Sequence, residues 1–296
     1  MSTSIGAGID RRYIYILLFI LASFPILYPL NLPLTVGEHS RLVFEITDAL
    51  PAGSVVVSSF DFGPATITEN RPHAKAHLFH CKELGLKVVV TAFWAGGGPI
   101  GHSVLTEVYG EGYETSEAYG TDIVYIGYIP GAEVGMQTFG DDPWQAKGTD
   151  HFGTAIADLP LMQEVRSAAD VDLWAEWTSG TPGEQQVIQF VQGRHVGENP
   201  GWPETTGFMP LVVGSTAVSV PGMMPFYQAD QILGILNGLA GGGEYELQLI
   251  DAYEYALVSA LPLLDSQSIG HVLIIVFIAI GNISWAISKS RGGTSA

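Results

Sequence analysis

SVVVSSFDFGPATITENRPHAKAHLFHCKELGLKVVVTAFW, residues 54–94, decides the fold. Its two ends, Ser54 to Phe60 and Leu86 to Trp94, are apolar runs of strand length centred on valine triplets. Runs of this kind, as opposed to strict apolar–polar alternation, belong to strands buried on both faces. Between them, Pro72 to Leu84 carries apolar residues at helical spacing, and Gly85 supplies the stop. A strand, a helix and a second strand in this order form a crossover unit, which pairs its strands in parallel.

The same alternation continues outward. Glu38 to Leu50 reads as a short helix before the first strand, stopped by Pro51-Ala52-Gly53. After the second strand come a helix from His102 to Tyr119, a strand from Asp122 to Tyr128, and a long glycine-bearing loop from Pro130 to Ala157. A loop of that length is functional or hides an element, and Val134 to Phe139 is the candidate extra strand. Asp158 to about Ser167 reads as a helix with Pro160 in its first turn, Val171 to Trp177 as a fourth strand, and Gly183 to Arg194 as a helix. Gly207 to Val218 contains a fifth strand, and Pro225 to Leu239 and Glu244 to Leu264 read as helices. The expected architecture is a three-layer α/β sandwich of about five mostly parallel strands, Rossmann-like or flavodoxin-like in class.

Two uncharged apolar runs bracket this region, Tyr13 to Leu34 and Ile269 to Ile287. Each is close to the ~20 residues that cross a ~30 Å hydrocarbon core as a helix. Arg11 and Arg12 precede the first, and Lys289 and Arg291 follow the second. Short basic flanks stay on the cytoplasmic side. The expected topology is therefore two-pass in the cell membrane: tails 1–12 and 288–296 in the cytoplasm, residues 35–268 outside. A cleaved signal peptide with its apolar region at Tyr13 to Phe24 is the rival reading, but no small-residue cleavage site follows it.

Twelve Lys and Arg face thirty Asp and Glu, for a net charge of −18. Residues 35–268 hold eight of the bases and twenty-nine of the acids, a charge near −21. Such a surface repels nucleic acid and anionic headgroups, so nucleic acid is excluded as a partner. Cys81 is the single cysteine, which leaves no internal disulfide and a core that must hold the domain by itself. Its place in a helical pattern beside Leu78 and Phe79 reads as a small buried hydrophobe.

Ligands of open parallel sheets bind beyond the carboxyl ends of the strands. Those ends place Ser58, Ser59 and Asp61 after the first strand and Trp94 with Gly96, Gly97 and Gly98 after the second. Glu176, Thr178, Ser179 and Gly180 close the fourth. Ser59, Asp61, Trp94, Gly96, Gly97, Gly98, Glu176 and Ser179 are the expected ligand-binding set. Asp61 and Glu176, with His102 as a further candidate, are the residues that acid–base catalysis would use.

Several motifs invite a sharper chemistry. Gly96, Gly98 and Gly101 fit G-x-G-x-x-G after a strand and before a helix, the context for pyrophosphate on a helix N-terminus. The motif follows the second strand and not the first, and no acid closes the third strand to take a ribose, so a tight turn with Pro99 starting the helix accounts for it. His73, His77 and His80 share a helix face and are the candidate zinc set; a solvated helix flank explains the same spacing without metal. Asp141, Asp142, Asp150 and His151 in the long loop lack the spacing of a calcium loop and read as solvated acids. There is no G-x-S-x-G elbow, and adjacent His102 and Ser103 diverge on a helix. Pairing Ser59 or Ser179 with His102 or His151 is left to the fold. His271 and Asn282, near the ends of the second run, read as anchoring or helix-packing groups. No cofactor is called for by these patterns.

With no catalytic constellation in view, the expected function is ligand binding or assembly within a membrane complex. The partners are then the lipid bilayer and other membrane proteins or further copies of the chain. A membrane-tethered hydrolase working at the strand ends is the alternative.

Overall fold

A computed structural model describes residues 11–292. It contains two compact units, residues 34–260 and an apolar unit of residues 11–33 with 261–292. In chain order the helices and strands are α1 (Arg11–Leu27), α2 (Glu38–Asp48), β1 (Val55–Asp61), α3 (Ile67–Glu83), β2 (Lys87–Ala92), α4 (Gly97–Tyr109) and β3 (Ile123–Tyr128). There follow α5 (Glu133–Asp141), α6 (Pro143–Ala146), α7 (Pro160–Glu164), β4 (Leu173–Thr178), α8 (Glu184–Phe190) and β5 (Leu211–Ser215). The chain closes with α9 (Val220–Gln228), β6 (Gly234–Asn237), α10 (Gly238–Tyr253) and α11 (Ala260–Gly292).

The α/β unit is built on a six-stranded sheet in the order β3-β2-β1-β4-β5-β6, every neighbouring pair parallel. Sequence reading expects about five strands, and β6 is the one it misses. Ile232, Leu233, Ile235, Leu236 and Leu239 fall at spacings that a helix and a buried strand share, so the segment read as part of a helix is in fact a four-residue strand. The opposite error occurs at Val134 to Phe139, which lies in α5 and not in an extra strand.

Alternation along the strands divides the core. Val55, Val57, Val89, Trp174 and Val213 face one helical layer, where Phe139 of α5, Val187 of α8 and Met223 of α9 pack. Val56, Phe60, Val88, Val90 and Trp177 face the other, against Leu78 of α3, Leu105 of α4 and Tyr245 of α10. α2 covers the outer strand β6: a side chain at Gly234 would meet Val43 at 2.7 Å. That contact packs α2 onto the same face of the sheet as α3 and α10, where Val43 joins Leu236 and Leu249 in the core.

Both chain ends of this unit are fastened to α10. Glu244 accepts the Gly37 N–H at 3.0 Å where the chain enters α2. Glu246, fully buried, accepts Ser259 N at 2.8 Å, Ser259 Oγ at 3.1 Å and Ala260 N at 2.8 Å where the chain leaves. One helix therefore fastens both ends of the α/β unit.

In the apolar unit, α11 carries a 28-residue stretch, Ala260–Ile287, long and apolar enough to cross a membrane, with mean hydropathy 2.0. It starts earlier than the run read from sequence, because Leu261 to Ser268 continue the same helix. α1 is shorter. Its helix stops at Leu27, after Pro25 has removed one backbone donor, so the run read as a span to Leu34 is not one continuous helix. Among the described residues α11 is the one helix that meets the length and hydropathy of a span. The two segments are tied at their ends: Asp265 accepts Leu30 N at 2.8 Å, Asn31 N at 3.0 Å and Leu32 N at 3.2 Å. Ser266 Oγ donates to Ala22 O at 2.7 Å. His271 and Asn282 are exposed on α11.

Candidate functional site

The strand order reverses between β1 and β4, so the crevice of such a sheet opens beyond Asp61 and Thr178, which are register partners. Ser59 pairs with Glu176 two residues earlier and with Thr91 on its other side. Period-two alternation turns Ser59, Asp61, Thr91 and Glu176 to the same face, and all four are fully buried.

Asp61 is the hub. One carboxylate oxygen accepts the backbone N–H of Phe93 and that of Trp94, the latter at 3.0 Å, and the other accepts Ser59 Oγ. Thr91 Oγ1 donates to Ser59 Oγ at 3.3 Å, extending the network across β2. Trp174 Nε1 donates to Glu176 Oε2 at 3.0 Å, while Glu176 Oε1 is buried with no partner. Burial raises Asp61 to about 6, an effect opposed by its hydrogen bonds with Glu176, Ser59 and the two backbone amides. Burial, and then the charge on Asp61, hold Glu176 well above the ordinary carboxylate range. The two carboxyls titrate as a pair, with Glu176 pushed further up because it meets the charge of Asp61 as well as burial.

Trp94 closes the crevice. Its indole N–H donates to Pro182 O at 3.0 Å, and its ring lies against Gly180, where an added Cβ would meet it at 3.3 Å. Ser179 N donates to Asp61 O at 3.3 Å, so the loop after β4 is stitched to the end of β1. The glycine motif serves packing. A Cβ on Gly97 would sit 1.7 Å from Phe60 O, whereas Gly96 and Gly98 leave 3.3 and 3.4 Å to their nearest neighbours. The helix begins at Gly97, ahead of Pro99, because the chain must press against β1 there.

Of the residues expected at a site, Ser59, Asp61, Trp94, Gly97, Glu176 and Ser179 come together at one strand edge. His102 does not. It lies on the other face of the sheet, stacked on Tyr125 and His151 with Nδ1 3.0 Å from Tyr113 Oη. Among the described residues no histidine is hydrogen-bonded to Ser59, whose hydroxyl goes to Asp61 and Thr91.

His73, His77 and His80 are buried, which corrects the reading of a solvated flank. α10 and α2 cover that face of α3, and each ring goes to a different partner. His73 Nε2 meets Gly238 O at 2.7 Å, His77 Nε2 meets Thr47 Oγ1 at 3.2 Å, and His80 Nδ1 meets Tyr245 Oη at 2.7 Å. Burial lowers His73 to about 4, His77 to about 3 and His80 to about 4, so all three are neutral. Cys81 lies 3.6 Å from His77 Nδ1, but burial pushes its thiol up and no thiolate forms.

The loop acids are also structural. Asp150 is buried, which again corrects a solvated reading; it accepts Tyr119 Oη, Phe152 N and Thr154 N. Asp142 caps α6 through Trp144 N, and Asp141 takes both arms of Arg194, at 2.9 and 2.8 Å. No group of three or more metal-ligating side chains gathers among the described residues.

Sequence reading stops one step short of an open cleft. Beyond the ends of β4 and β5 lies a space of about 130 Å³ lined by Gly180, Thr181, Glu184, Gln185, Gln186, Ser219 and Met223. Glu184 immediately follows the Ser179–Gly183 turn and was legible as the next acid after Glu176.

The fold and this edge define a doubly wound parallel α/β domain of Rossmann type, its switch-point crevice filled by a tryptophan. No protein-family description matches the chain, and no curated protein or solved structure matches it significantly.

Proposed function

We propose that the protein is a membrane-anchored α/β subunit that works by binding, engaging a ligand or partner proteins outside the cytoplasm within a membrane complex. One observation carries this reading: the acids best placed for chemistry are spent on structure. Asp61 is saturated by four donors' worth of neighbours at the strand edge, and neither it nor Glu176 reaches solvent. A general acid or base must come within hydrogen-bond reach of its substrate. The apolar α11 and the basic flanks of both apolar runs support a two-pass anchor with both termini cytoplasmic.

Crosslinking and gentle detergent extraction of native membranes tests this. The expected result is an assembly larger than one chain, carrying defined partners; a solitary monomer refutes it. Reporters at residues 130–157 and at either terminus test the topology, and a cytoplasmic signal from the first would overturn it. The hydrolase reading is favoured by the contact between Asp61 and Glu176, whose environments split their proton affinities as acid–base pairs require. It requires Trp94 to move aside, and ester or glycoside turnover lost in Glu176→Gln would establish it.

A further inference from the structure

We infer that the cleft between the ends of β4 and β5 is a binding site for the ammonium group of a small polar amine, received by Glu184. This rests on the binding reading above and names the ligand chemistry. Glu184 lines the cleft at only 6% exposure, and its polar neighbours are Gln185 and its own backbone. Among the described residues no Lys, Arg or His pairs with it. Burial raises the proton affinity of this carboxyl, partly opposed by its hydrogen bonds with Gln185 and the backbone, and a bound cation would favour its ionised form.

A second, independent observation lies behind it. α8 starts hard against β4: a Cβ on Gly183 would meet Thr178 Oγ1 at 2.3 Å. Thr178 and Glu176 share one face of that strand, so Glu184 lies near the fully buried Glu176, which is held by Trp174 and Asp61 behind the cleft wall. The charge of Glu184 is felt at Glu176. The Asp61 and Glu176 pair thus lies behind the wall that carries Glu184, in a domain whose acid excess draws cations toward it.

The remaining lining selects the kind of cation. Thr181, Gln186 and Ser219 offer neutral hydrogen-bonding groups, and Met223 offers a soft apolar surface. A divalent metal would want six or more oxygens, several of them charged, and the wall supplies one carboxylate. About 130 Å³ is ample for an amine of a few heavy atoms with a hydroxyl or amide attached.

The test is a titration of the full chain in detergent with ethanolamine, read by tryptophan emission, since Trp94 lies against Gly180 at the cleft. The expected result is saturable binding in the wild type, weakened at least ~10-fold in Glu184→Gln, with ethylene glycol inert. Should Glu184→Gln fail to fold, Ser219→Ala, which leaves the carboxylates in place, is expected to weaken binding several-fold. No saturable response to ~10 mM, equal responses from wild type and variants, an equal response to ethylene glycol, or a Glu184-dependent response to calcium alone would each overturn the assignment. None of these outcomes bears on the co-purification result, which tests the binding reading separately.

Discussion

The carboxylate of Asp61, at the end of β1, holds the backbone of Trp94, beyond the end of β2, through a 3.0 Å hydrogen bond, and Trp94 in turn holds the loop after β4 through Pro182. One acid thereby fixes three strand ends around the point where the sheet reverses its order. Replacing Asp61 by Ala strands the N–H groups of Phe93 and Trp94. The expected cost is about 2–4 kcal/mol. Urea unfolding of the full chain in detergent should show it, along with a red shift of emission as Trp94 gains water. Unchanged stability would mean the latch is dispensable.

A glycine pair separates packing from ligand binding at the start of α4. If the glycines serve close approach, Gly97→Ala is severe, because its Cβ would overlap Phe60 O, and Gly98→Ala is mild, its Cβ lying 3.4 Å from Tyr128 Cβ. The expected losses are upwards of ~3 kcal/mol and under ~1 kcal/mol. A phosphate-cradling loop would instead make position 98 sensitive in binding, with stability kept. Thermal unfolding of the two variants decides.

Acid should loosen the α3 face. His73, His77 and His80 titrate near 4, 3 and 4 when folded, against about 6.5 when unfolded. Between these values the unfolded chain binds more protons, so their stabilisation is complete above pH 6.5 and drains away as pH falls toward 4. Each histidine accounts for on the order of 2 kcal/mol over that window. Asp61, raised to about 6, acts with the opposite sign: its burial penalises the charged form, so its contribution improves as pH falls through 6 toward 4. The net expectation is lower stability at pH 4.5 than at pH 7, with the loss reduced in His77→Leu. A flat profile in wild type, or an unaltered slope in the variant, would show that these rings take up protons as readily in the fold as in the unfolded chain.

Much of this fold is legible in residues 54–94, because valine-rich runs and a glycine stop point to one arrangement only. The strand-end site is legible for the same reason: strand direction fixes where Asp61, Trp94 and Glu176 must fall. What sequence hides is which groups touch water. His73, His77 and His80 have helical spacing, but nothing local reveals that α2 and α10, distant in the chain, cover their face. Likewise Asp61 looks like a free acid until Phe93 and Trp94 are seen to occupy it. β6 and α5 were exchanged for the opposite structure because runs of four to nine residues carry too few turns for their period to show.

The anchor itself offers the last prediction. A helix of 17 residues spans about 25 Å, short of a ~30 Å hydrocarbon core, while the 28-residue stretch of α11 exceeds it. α11 should therefore hold the chain in the bilayer alone, with α1 retained through its neighbour. The carboxylate of Asp265 matters here, since it satisfies three backbone N–H groups, at Leu30, Asn31 and Leu32, just past the end of α1. Left unpaired near lipid, each would cost several kcal/mol. A chain without residues 1–33 should stay in the pellet after alkaline carbonate. In the full chain, Ala22→Cys with Ser266→Cys should crosslink on mild oxidation, since Ser266 Oγ lies 2.7 Å from Ala22 O. Adding Asp265→Ala should cut that crosslink several-fold while leaving the chain in the membrane. Release of the shortened chain by carbonate would show that α1 carries the anchor, and undiminished crosslinking would show that Asp265 does not hold the pair together.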